Sequence, residues 1–493
     1  MKIEEMIAAN RADCSGCEAC ANICPKNAIV MTRDAEGFAY PKINPELCIK
    51  CGRCDVTCPA LNFQTKTIED FPPTFVATYQ NDKILRHSSS GGVFSALSEI
   101  ILASGGVVFG AGFDKNWHVL HTSARTFDEL ENLRGSKYVQ SRIGDIYRQV
   151  KDALKSQKVL FSGVPCQCAG LKHFLGGDHE NLLTVEIICH GVPSPKLWEN
   201  YIGEIGYAHE VKHVNFRSKR NGWGSNMDIN FSDRGYIMEA NFKNLYGKLF
   251  LRNLSLRPSC SSCKFKFPNG KSDLTIGDAW GIKDFAPKMF DARGVSVVFI
   301  HTDKGKEFFE KANLKTQQVR FSDAMNKNRR LISPSAADSR RKNFFADLAK
   351  NDDWLAVMQK YHAQEDEEIL KDTSKRNGAA FGKNIQVLAA QVRKKFEKNI
   401  LIVGEVPENF EQQFQNCGVY SLSLNAKGKF ICTERFSLLT FEQKDTATLS
   451  DFVKKFNVTE IFIKEPLEFE SSFVADWLKT CGLPVKTLSP QAK

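Results

Sequence analysis

The sequence lacks any apolar run long enough to cross a membrane. Its most apolar stretch, IILASGGVVFGAGF, is interrupted by glycines and is shorter than the roughly 18 to 20 residues that a membrane-spanning helix requires. The initial segment, MKIEEMIAANRAD, has acidic residues early and no apolar centre, which is unlike a secretory signal peptide. We therefore expect neither a membrane span nor a signal peptide.

The sequence also lacks a GxGxxG motif. That glycine pattern marks the strand-to-helix turn at which Rossmann-type domains bind dinucleotides. A Rossmann-type dinucleotide site is therefore not expected.

Cysteine, in contrast, is abundant, with 16 in 493 residues. Two runs, CSGCEACANICP and CIKCGRCDVTCP, repeat the same spacing 34 residues apart, and both end in Pro. Such runs are typical of two-cluster ferredoxins, in which three close-spaced thiolates bind one cluster and the fourth binds the other. The alternative is a zinc site or a set of disulfides, but zinc ribbons use paired thiols and do not need four-cysteine runs ending in Pro. The pattern assigns one 4Fe–4S cluster to Cys14, Cys17, Cys20 and Cys58, and the other to Cys48, Cys51, Cys54 and Cys24.

Composition favours several domains in a reducing compartment. A chain of 493 residues exceeds what one hydrophobic core usually organises, so roughly two to four domains are expected. Half of the cysteines lie in cluster runs that require free thiolates, which indicates a reducing environment. We expect a cytoplasmic protein. Because predicted strands alternate with predicted helices, the expected fold class is α+β or α/β, with several domains.

The sequence divides into four predicted parts. Residues 1–65 hold both cysteine runs, and AIVMTRDAEGFAYPKI between them predicts a β-hairpin. A second domain, residues 66–345, begins with a linker in which Pro72 and Pro73 prevent regular pairing. The charged residues 346–394 are predicted to form a helical linker. Residues 395–493 alternate short apolar strands with helix-like stretches, which predicts a small α/β domain of unknown role.

The segment SSSGGVFSAL, residues 88–97, sets three serines and two glycines directly before an apolar-periodic helix. Hydroxyls and free backbone amides at a helix N-terminus bind phosphate well. A capped helix with a flexible lead-in is the alternative, and this segment alone does not decide between them. The segment LRGSKYVQS adds Arg134, Lys137 and Tyr138 near a predicted loop, where a solvated face is the alternative.

Five further cysteines lie at or near predicted strands. KVLFSGVPCQCAGL and LLTVEIICHGVPSP each run from an apolar strand into cysteine, and RPSCSSCKFKFPNGKSDLTIGDAWG has a Cys-x-x-Cys pair before another strand. Binding groups cluster at the carboxyl ends of strands in open α/β sheets. Singly, each thiol would more often be an inert core residue, but five thiols for about four ligand places favour a third cluster. These thiols are Cys166, Cys168, Cys189, Cys260 and Cys263.

Seven motifs follow the ferredoxin-like start in a fixed order: SSSGGVFSAL, GSKYVQS, GVPCQ, CHGVPSP, NFRSKRNGW, LRPSCSSCKF and SDLTIGDAWG. The ordered set resembles the family of coenzyme F-420 hydrogenase/dehydrogenase beta subunits over residues 10–345. The resemblance implies that residues 66–345 form a core that binds FAD and a nearby 4Fe–4S cluster. It implies no particular substrate, because members of the family differ in what they reduce.

The resemblance also implies site residues. The third cluster's ligands fall in the family's Pro-Cys, Cys-His-Gly and Cys-x-x-Cys positions, at Cys166, Cys189, Cys260 and Cys263. Cys168 lies where the family usually has an aliphatic residue and is left out. Arg217, Gly222 and Trp223 lie in a family-like motif and are candidates to line the site. The candidates for flavin contacts, on motif and helix-terminus grounds together, are Ser88, Ser89, Ser90, Gly91, Gly92 and Lys137.

Positive charge is concentrated between Lys212 and Lys271. This segment has twelve Lys or Arg and three acidic residues, and so carries nine of the chain's ten net positive charges. Its attraction could be to the FAD pyrophosphate, an anionic substrate or an acidic electron donor. An ordinary solvated surface is the alternative. Nucleic acid is not expected as a partner, because no recognised binding motif accompanies the segment.

The sequence thus predicts an iron-sulfur flavoprotein oxidoreductase with three 4Fe–4S clusters and FAD. It would exchange two electrons with a small-molecule substrate at the flavin and pass them singly to or from a redox carrier such as ferredoxin or a partner redox subunit. The alternative is a non-catalytic electron-transfer subunit of a larger redox complex. No catalytic residue is predicted.

Overall fold

The computed structural model describes residues 2–364, apart from residues 69, 208, 225 and 234, together with the backbone of six strands between residues 398 and 488. By their internal contacts the residues form two compact units. One unit comprises Met1–Lys66 and Pro72–Phe381, and the other comprises Thr67–Phe71 and Gly382–Lys493. Every residue proposed above as a cluster ligand or flavin contact lies in the first unit.

The N-terminal part contains one short motif twice. Each cysteine run forms a five-residue helix, and each helix is preceded by a residue with left-handed backbone, Glu18 (φ 61°) in the first run and Gly52 (φ 69°) in the second. An antiparallel hairpin, with Ile29 opposite Ile43, lies between the runs, which confirms the predicted hairpin. The elements are α1 (Ile3–Ala9), α2 (Ala19–Ile23), β1 (Ile29–Arg33), β2 (Ala39–Ile43) and α3 (Arg53–Thr57).

The rest of the first unit alternates strands and helices. Its elements, in chain order, are β3 (Thr74–Tyr79), α4 (Asp82–His87), α5 (Val93–Ala103), β4 (Val107–Phe113), β5 (Val119–Ala124), α6 (Leu130–Leu133), α7 (Ile146–Ala153), β6 (Val159–Gly163), α8 (Pro165–Leu175), β7 (Leu182–Ile187), α9 (Pro195–Ile205), β8 (Val211–Asn215), β9 (Asn226–Phe231), β10 (Tyr236–Ala240), α10 (Leu245–Leu251), β11 (Leu274–Asp278), α11 (Ile282–Phe285), β12 (Ser296–Ile300), α12 (Asp303–Lys311), β13 (Leu314–Val319), α13 (Phe321–Lys327), α14 (Arg341–Lys350) and α15 (Trp354–Ala363). Short 3-10 turns lie at Arg11–Asp13, Pro258–Ser262, Pro287–Met289 and Arg329–Leu331.

A mixed eight-stranded sheet, in the order β13-β3-β12-β11-β7-β6-β4-β5, forms the centre of this unit. The adjacent strands β4, β6, β7 and β11 run parallel, and the outer strands pair antiparallel. The strands β6 and β12, with the sequences VLFSG and SVVFI, are buried along almost their whole length, as expected for strands covered on both faces. The carboxyl ends of the four parallel strands therefore meet at one edge of the sheet.

A smaller antiparallel sheet, β10-β9-β8, packs with helices beside the central sheet. Trp198 of α9, Phe216 and Tyr246 of α10 are each at most 1% exposed and belong to one apolar cluster with residues of β8 and β9. This cluster also contains residues of the N-terminal part, such as Phe38. The ferredoxin-like residues are therefore packed onto the core of the first unit.

The helix α15 also packs onto this core. Its buried residues, Trp354, Val357, Met358 and Tyr361, recur at the spacing of one helix face. The range 346–394, predicted to be a helical linker, thus begins with residues that are part of the core of the first unit, and residues 365–394 lie outside the described residues. The boundaries of the four predicted parts remain predictions.

The second unit contains a six-stranded sheet. Its strands are β14 (Lys398–Val403), β15 (Cys417–Leu424), β16 (Phe430–Glu434), β17 (Ser437–Phe441), β18 (Glu460–Lys464) and β19 (Val485–Leu488). Their order is β17-β16-β15-β14-β18-β19, with β15, β14, β18 and β19 parallel and the remaining pairs antiparallel. The helices predicted between these strands lie outside the described residues.

The chain has mixed α/β architecture, more than one compact unit and a central mixed sheet. The predicted fold class is confirmed at that level. Among the helices that the structure describes, none combines the length and apolarity that crossing a bilayer would require.

Candidate functional site

Four thiols of the N-terminal part face one small cavity. They come from both cysteine runs, because α2 packs against α3 and so brings the end of the second run to the first. Apolar side chains, among them Ile3, Met6 and Ala60, complete the wall. The thiols, here called the first set, are Cys14, Cys17, Cys20 and Cys58. The cysteine spacing assigns these same four to one cluster.

Burial makes three thiols of the first set hard to ionise, those of Cys17, Cys20 and Cys58. Burial and then Cys58 raise the pKa of Cys17 to about 12, and burial followed by the other three thiols raises the pKa of Cys20 well above its ordinary value. Bound iron would supply the positive charge that stabilises the thiolate forms. Four sulfur donors around one enclosed, partly apolar cavity fit a 4Fe–4S cluster.

The second set, Cys24, Cys48, Cys51 and Cys54, lies nearer the surface. Cys51 is exposed, and the other three are half-buried. Burial, Asp55 and Cys48 raise the pKa of Cys54 to about 11, so Cys48 and Cys54 are close enough to interact. The Sγ atom of Cys24 accepts a hydrogen bond of 3.2 Å from the amide of Ala28. Hydrogen bonds to ligand sulfurs are one of the means by which proteins tune iron-sulfur clusters.

A third set of thiols surrounds another small cavity. One lies in the first turn of α8, directly after β6; one follows β7; and two lie at the 3-10 turn Pro258–Ser262. These four thiols are Cys166, Cys189, Cys260 and Cys263. Cys168, only two residues after Cys166, does not line this cavity and is fully buried in the apolar cluster beneath α8.

The third set shares the chemistry of the first. Burial and the neighbouring thiols raise the pKa of Cys166 well above its ordinary value, and that of Cys260 to about 12. Burial also raises the pKa of Cys189, although Lys266 opposes the shift. Lys266 Nζ donates a hydrogen bond to the carbonyl oxygen of Cys189 and so holds the backbone of this residue. These donors again fit a cluster whose irons displace the thiol protons.

A much larger cavity, about 780 Å³, opens beside the third set. It lies at the carboxyl ends of β6, β7 and β11, which provide Gly163, Ile187 and Asp278 to its wall. This is the edge at which open α/β sheets bind ligands, and the volume is typical of small-molecule and cofactor sites. The residues shared by the two cavities are Val164, Cys189, His190, Gly191 and Val192.

The serine-rich loop before α5 forms part of the large cavity. Ser88, Ser89, Ser90 and Gly92 line it, whereas Gly91 does not. A Cβ atom on Gly91 would lie 2.2 Å from the carbonyl oxygen of Ala77 and 2.4 Å from the amide nitrogen of Ser296. Only glycine therefore allows the loop to approach the central sheet this closely.

The serine hydroxyls hold this loop in place. Ser90 Oγ donates to the carbonyl oxygen of Val295 at 2.8 Å, Ser88 Oγ donates to that of Ile84 at 2.8 Å, and Ser89 Oγ accepts from the amide of Ser136 at 2.8 Å. The last bond joins the serine loop to the GSKY segment. Two segments that the sequence identified separately are thus neighbours in one cavity wall.

Lys137 also lines the large cavity. Its Nζ donates to the carbonyl oxygens of Asn132 and Arg134, at 2.7 and 2.8 Å. Burial lowers the pKa of Lys137 to about 7, with Glu131 opposing the shift. Near neutral pH this residue can therefore gain or lose a proton at the cavity wall.

A buried ion pair forms another wall of this cavity. Arg217, which is 4% exposed, donates from Nη1 and Nη2 to the two carboxylate oxygens of Asp278 at 2.7 and 2.9 Å. Burial disfavours the charge of Arg217, but Tyr138 and Asp278 outweigh it and raise its pKa. Trp223 donates its Nε1 to Asp278 at 2.9 Å, and its ring stacks on Trp280 at 5.4 Å. Trp223 therefore holds the carboxylate of Asp278, and Tyr138, whose hydroxyl oxygen accepts from Arg217 Nη1 at 3.2 Å, holds the guanidinium.

The sequence identified this wall only in part. Arg217 was a candidate to line the site and does so, whereas Gly222 and Trp223 are not among the lining residues. Asp278 and Trp280 were not proposed, although the GDAWG motif at the end of a predicted strand could have indicated them. Their pairing with residues of another segment becomes visible only in the fold.

The basic segment between Lys212 and Lys271 serves several different contacts. Of its described members, Arg217 alone lines the large cavity. Arg257 lies instead at the thiol sets, where it donates to the carbonyl oxygen of Cys14 at 2.9 Å. Three more exposed members each pair with one carboxylate: Lys212 with Glu210, Arg220 with Asp228 and Lys264 with Asp13.

A second basic group at the large cavity was missed. Residues 326–330, NKNRR, line the cavity where α13 ends. Lys327 pairs with Asp284 at 2.7 Å, and burial and Arg329 lower the pKa of Arg330. The run is visible in the sequence, but nothing local indicates that it returns to the carboxyl ends of the sheet.

The first and third sets are close neighbours. Ser15 lines both of their cavities, and the charge of Cys17 contributes to the raised pKa of Cys166. The third set in turn shares a wall with the large cavity. The order in space is therefore large cavity, third set, first set.

Three family models match the chain. Two describe the beta subunit of coenzyme F420 hydrogenase/dehydrogenase: the model of its N-terminal part matches residues 74–147, and the model of its C-terminal part matches residues 156–326. A "4Fe-4S dicluster domain" model matches residues 13–62. The chain belongs to the family of coenzyme F420 hydrogenase/dehydrogenase beta subunits. The resemblance seen in the motifs is confirmed. The third set lies entirely within the C-terminal family model, and the serine loop and Lys137 lie within the N-terminal one.

Relatives of this member of the F420 hydrogenase/dehydrogenase family are named as redox proteins. The chain is 25% identical over 195 residues to the F subunit of the F(420)H(2) dehydrogenase of Methanosarcina mazei, covering 36% of this chain and 53% of the relative. It is 24% identical over 317 residues to the coenzyme F420-dependent sulfite reductase of Methanocaldococcus jannaschii, covering 61% and 46%. The chain thus spans about half the length of each of these two relatives.

The cysteine-rich start has its own relative. It is 36% identical over 55 residues to the VorC subunit of the ketoisovalerate oxidoreductase of Methanothermobacter marburgensis, covering 11% of this chain and 70% of that protein. Among solved structures, a chain of the F420-reducing [NiFe] hydrogenase complex from Methanosarcina barkeri matches with a TM-score of 0.37 and 20% identity, over 60% of this chain and 94% of that chain. The family and dicluster matches identify an iron-sulfur protein of an oxidoreductase family that binds 4Fe–4S clusters.

Proposed function

We propose that this protein is an iron-sulfur flavoprotein oxidoreductase that exchanges two electrons with a small-molecule substrate at FAD. The electrons pass singly through three 4Fe–4S clusters to or from an external carrier. The observation that carries the proposal is the shared wall between the large cavity and the third thiol set, formed by Val164 and the segment 189–192. Cofactor and cluster would be neighbours there, which suits electron transfer between them.

The lining of the large cavity suits a flavin nucleotide. The backbone amides at the N-terminus of α5 and the hydroxyl proton of Ser89 favour a phosphate group. The wall also includes Ile187, two residues before Cys189, and Trp280, which are 37% and 38% exposed. Exposed apolar side chains in a cavity suit a planar ring. A bound flavin would supply the conversion between two-electron and one-electron chemistry.

The three thiol sets support a path out of this cavity. The third set adjoins the cavity, the first set adjoins the third, and the second set reaches the surface at the exposed Cys51. An external carrier would exchange electrons at that surface. The role suits a redox carrier such as ferredoxin or a partner redox subunit, and two of the relatives are named as subunits.

A second candidate is a non-catalytic electron-transfer subunit of a larger redox complex. It is favoured by the two relatives that are named as subunits. A free enzyme should turn over a small substrate with artificial electron donors. A subunit should relay electrons without turnover and co-purify with its partner.

Cofactor analysis and one variant test the proposal. Anaerobically reconstituted protein should hold one FAD and about twelve iron atoms per chain, from three clusters of four. Cys189→Ser should interrupt electron passage between flavin and carrier and leave the N-terminal clusters visible by EPR, because a hydroxyl replaces a thiolate poorly as a ligand. Cys17→Ser should instead damage the first set and spare the flavin. About eight irons, unchanged by Cys189→Ser, would remove the third cluster from the proposal, and absence of FAD would remove the flavin.

A further inference from the structure

Arg257 connects the first and third thiol sets. Its backbone belongs to the third set, since its carbonyl oxygen accepts from the amide of Cys260 at 3.0 Å. Its side chain reaches the first set: Nε donates to the carbonyl oxygen of Cys14 at 2.9 Å, and Nη2 lies 3.8 Å from Cys14 Sγ. The residue is 1% exposed. A guanidinium is thus buried directly against a proposed cluster ligand.

This guanidinium has neutral hydrogen-bond partners. Within the described part of the chain it forms no salt bridge; Nη1 donates to Gln140 Oε1 at 3.1 Å and Nη2 to the carbonyl oxygen of Ala39 at 3.0 Å. The ring of Tyr40 lies 4.3 Å from its central carbon. Arginine stays charged in proteins, so a full positive charge is buried here.

Glu18 is an acidic residue near Arg257. Its carboxylate is already engaged, because it accepts from the amides of Ile143 and Gly144 at 3.1 and 2.9 Å. Glu18 is therefore a poor counter-charge for the guanidinium.

A buried charge without a counter-charge is expensive. The thiolates of the first set would supply the missing negative charge once they hold a cluster, and Cys14 is the member that the guanidinium touches. One-electron reduction adds one negative charge to such a site. A neighbouring cation stabilises that added charge strongly in a low-dielectric interior, and a hydrogen bond to ligand sulfur acts in the same direction.

We propose that Arg257 raises the reduction potential of the 4Fe–4S cluster held by the first set. It is a positioning and charge-compensating residue that acts through Cys14. The proposal rests on the cluster-binding part of the proposed function and is independent of the flavin and the substrate. A higher potential would make the cluster of the first set a favourable electron acceptor between the third set and the surface.

The test is a dithionite redox titration of the full-length protein, followed by EPR. The signal of the first set is the one lost in Cys17→Ser. In Arg257→Met the midpoint potential of that signal should shift to more negative values, and in Arg257→Lys the shift should be smaller, because the charge remains. Gln140→Glu should also shift it to more negative values, since it places an anion at Nη1 without removing the arginine.

Arg341→Met is the matched control. Arg341 is also largely buried, lies over the ring of Phe345 at 4.5 Å and ties the core to the N-terminal hairpin, but its charge is balanced by Glu36. Its loss should lower the thermal midpoint and leave the potential of the first set unchanged. If the role of Arg257 were purely structural, Arg257→Met would likewise lower the thermal midpoint and leave the potential of the first set unchanged.

The outcomes decide the proposal in each case. Unchanged potentials in Arg257→Met and Gln140→Glu, with full iron content, would overturn it. If Arg257→Met cannot hold the first cluster, the potential of Gln140→Glu decides, and loss of the cluster from that variant as well would assign Arg257 a structural role only. Because the signal belongs to the first set, absence of FAD or of the third cluster would not affect the result.

Discussion

The Sγ atom of Cys17 lies 3.1 Å from the point that a Cβ atom on Gly170 would occupy. Gly170 is in α8, four residues after Cys166 and therefore on the same helix face one turn later. The same point is 2.9 Å from the hydroxyl oxygen of Tyr147. The first and third thiol sets thus approach each other where α8 has no side chain.

Gly170→Ala should disturb the first set. Its methyl group would meet Cys17 and Tyr147 at less than normal contact distance, so that α8 or the first cysteine run must move. We expect reduced iron content or an altered EPR signal of the first set, and slower electron passage between the third and first sets. Iron analysis and stopped-flow reduction measure both effects.

Gly203→Ala is the control for this prediction. Gly203 is also within a helix, α9, but a Cβ atom there would have nothing within 4 Å. Its replacement should leave every cluster intact and stabilise the fold by about 0.4–1 kcal/mol. Normal clusters and transfer rates in Gly170→Ala would show that the two sets do not depend on this close approach.

Cys166 and Cys168 should respond differently to replacement, although only one residue separates them. Cys166→Ala should remove about four irons, because Cys166 lines the cavity of the third set. Cys168→Ala should retain all iron and lower the free energy of unfolding by on the order of 1 kcal/mol, since it only truncates a fully buried side chain. Iron content and urea titration measure the two effects. Equal iron loss in both variants would place Cys168 among the ligands.

Features that depend on nearby residues could be predicted from the sequence. The spacing of the cysteine runs indicated which thiols gather in the first set, and the polar turn between two apolar segments predicted the hairpin β1–β2. Strands ending at Gly163 and at Ile187 indicated where a binding edge would lie. These signals are local, because helix, strand and turn preferences act over a few residues.

Features that depend on distant residues could not be predicted. Arg217 and Asp278 are 61 positions apart, and Arg257 and Cys14 are 243 apart. The basic segment appeared as a single feature in the sequence, yet its members pair with different partners because β8, β9 and the 3-10 turn Pro258–Ser262 carry them to different places. Charge counts give a total and do not give the partner of each group.

Asp278→Asn should destabilise the first unit strongly. It would leave the guanidinium of Arg217, which is 4% exposed, without its counter-charge. Breaking a buried pair in this way costs roughly 3–5 kcal/mol. We therefore expect a large decrease in the free energy of unfolding by urea titration, and weaker FAD binding, because this pair lines the large cavity.

Glu199→Gln is the control for the buried pair. Glu199 forms two similar hydrogen bonds with Arg33, at 2.6 and 2.7 Å, but the two side chains are 23% and 49% exposed. Exposed pairs contribute only about 0–1 kcal/mol. A similar decrease in the free energy of unfolding in the two variants would mean that burial does not make the Arg217–Asp278 pair more important for stability.

His121 should make stability depend on pH. Its Nε2 lies 3.1 Å from the carbonyl oxygen of Ser162, which can only accept, so Nε2 carries the proton and Nδ1 accepts from the hydroxyl of Ser141 at 3.0 Å. Burial lowers the pKa of His121 to about 4, the hydrogen bond to Ser162 opposes the shift, and Lys137 adds to it. The folded state therefore holds this imidazole neutral.

The direction of this pH dependence follows from the number of protons that the folded and unfolded chains bind. An unfolded histidine has a pKa of about 6.5, so between about pH 6.5 and pH 4 the unfolded chain binds more protons than the folded one at this residue, and stability falls on acidification. At about 1.4 kcal/mol per pH unit the full effect is about 3 kcal/mol. His121→Gln, which cannot titrate, should lose less stability over this window than the wild type, as measured by urea titrations at several pH values. Loss of clusters at low pH should affect the wild type and the variant alike, so it cancels in the difference between them. If the free energy of unfolding fell equally in both proteins between about pH 6.5 and pH 4, His121 would not be held neutral in the folded protein.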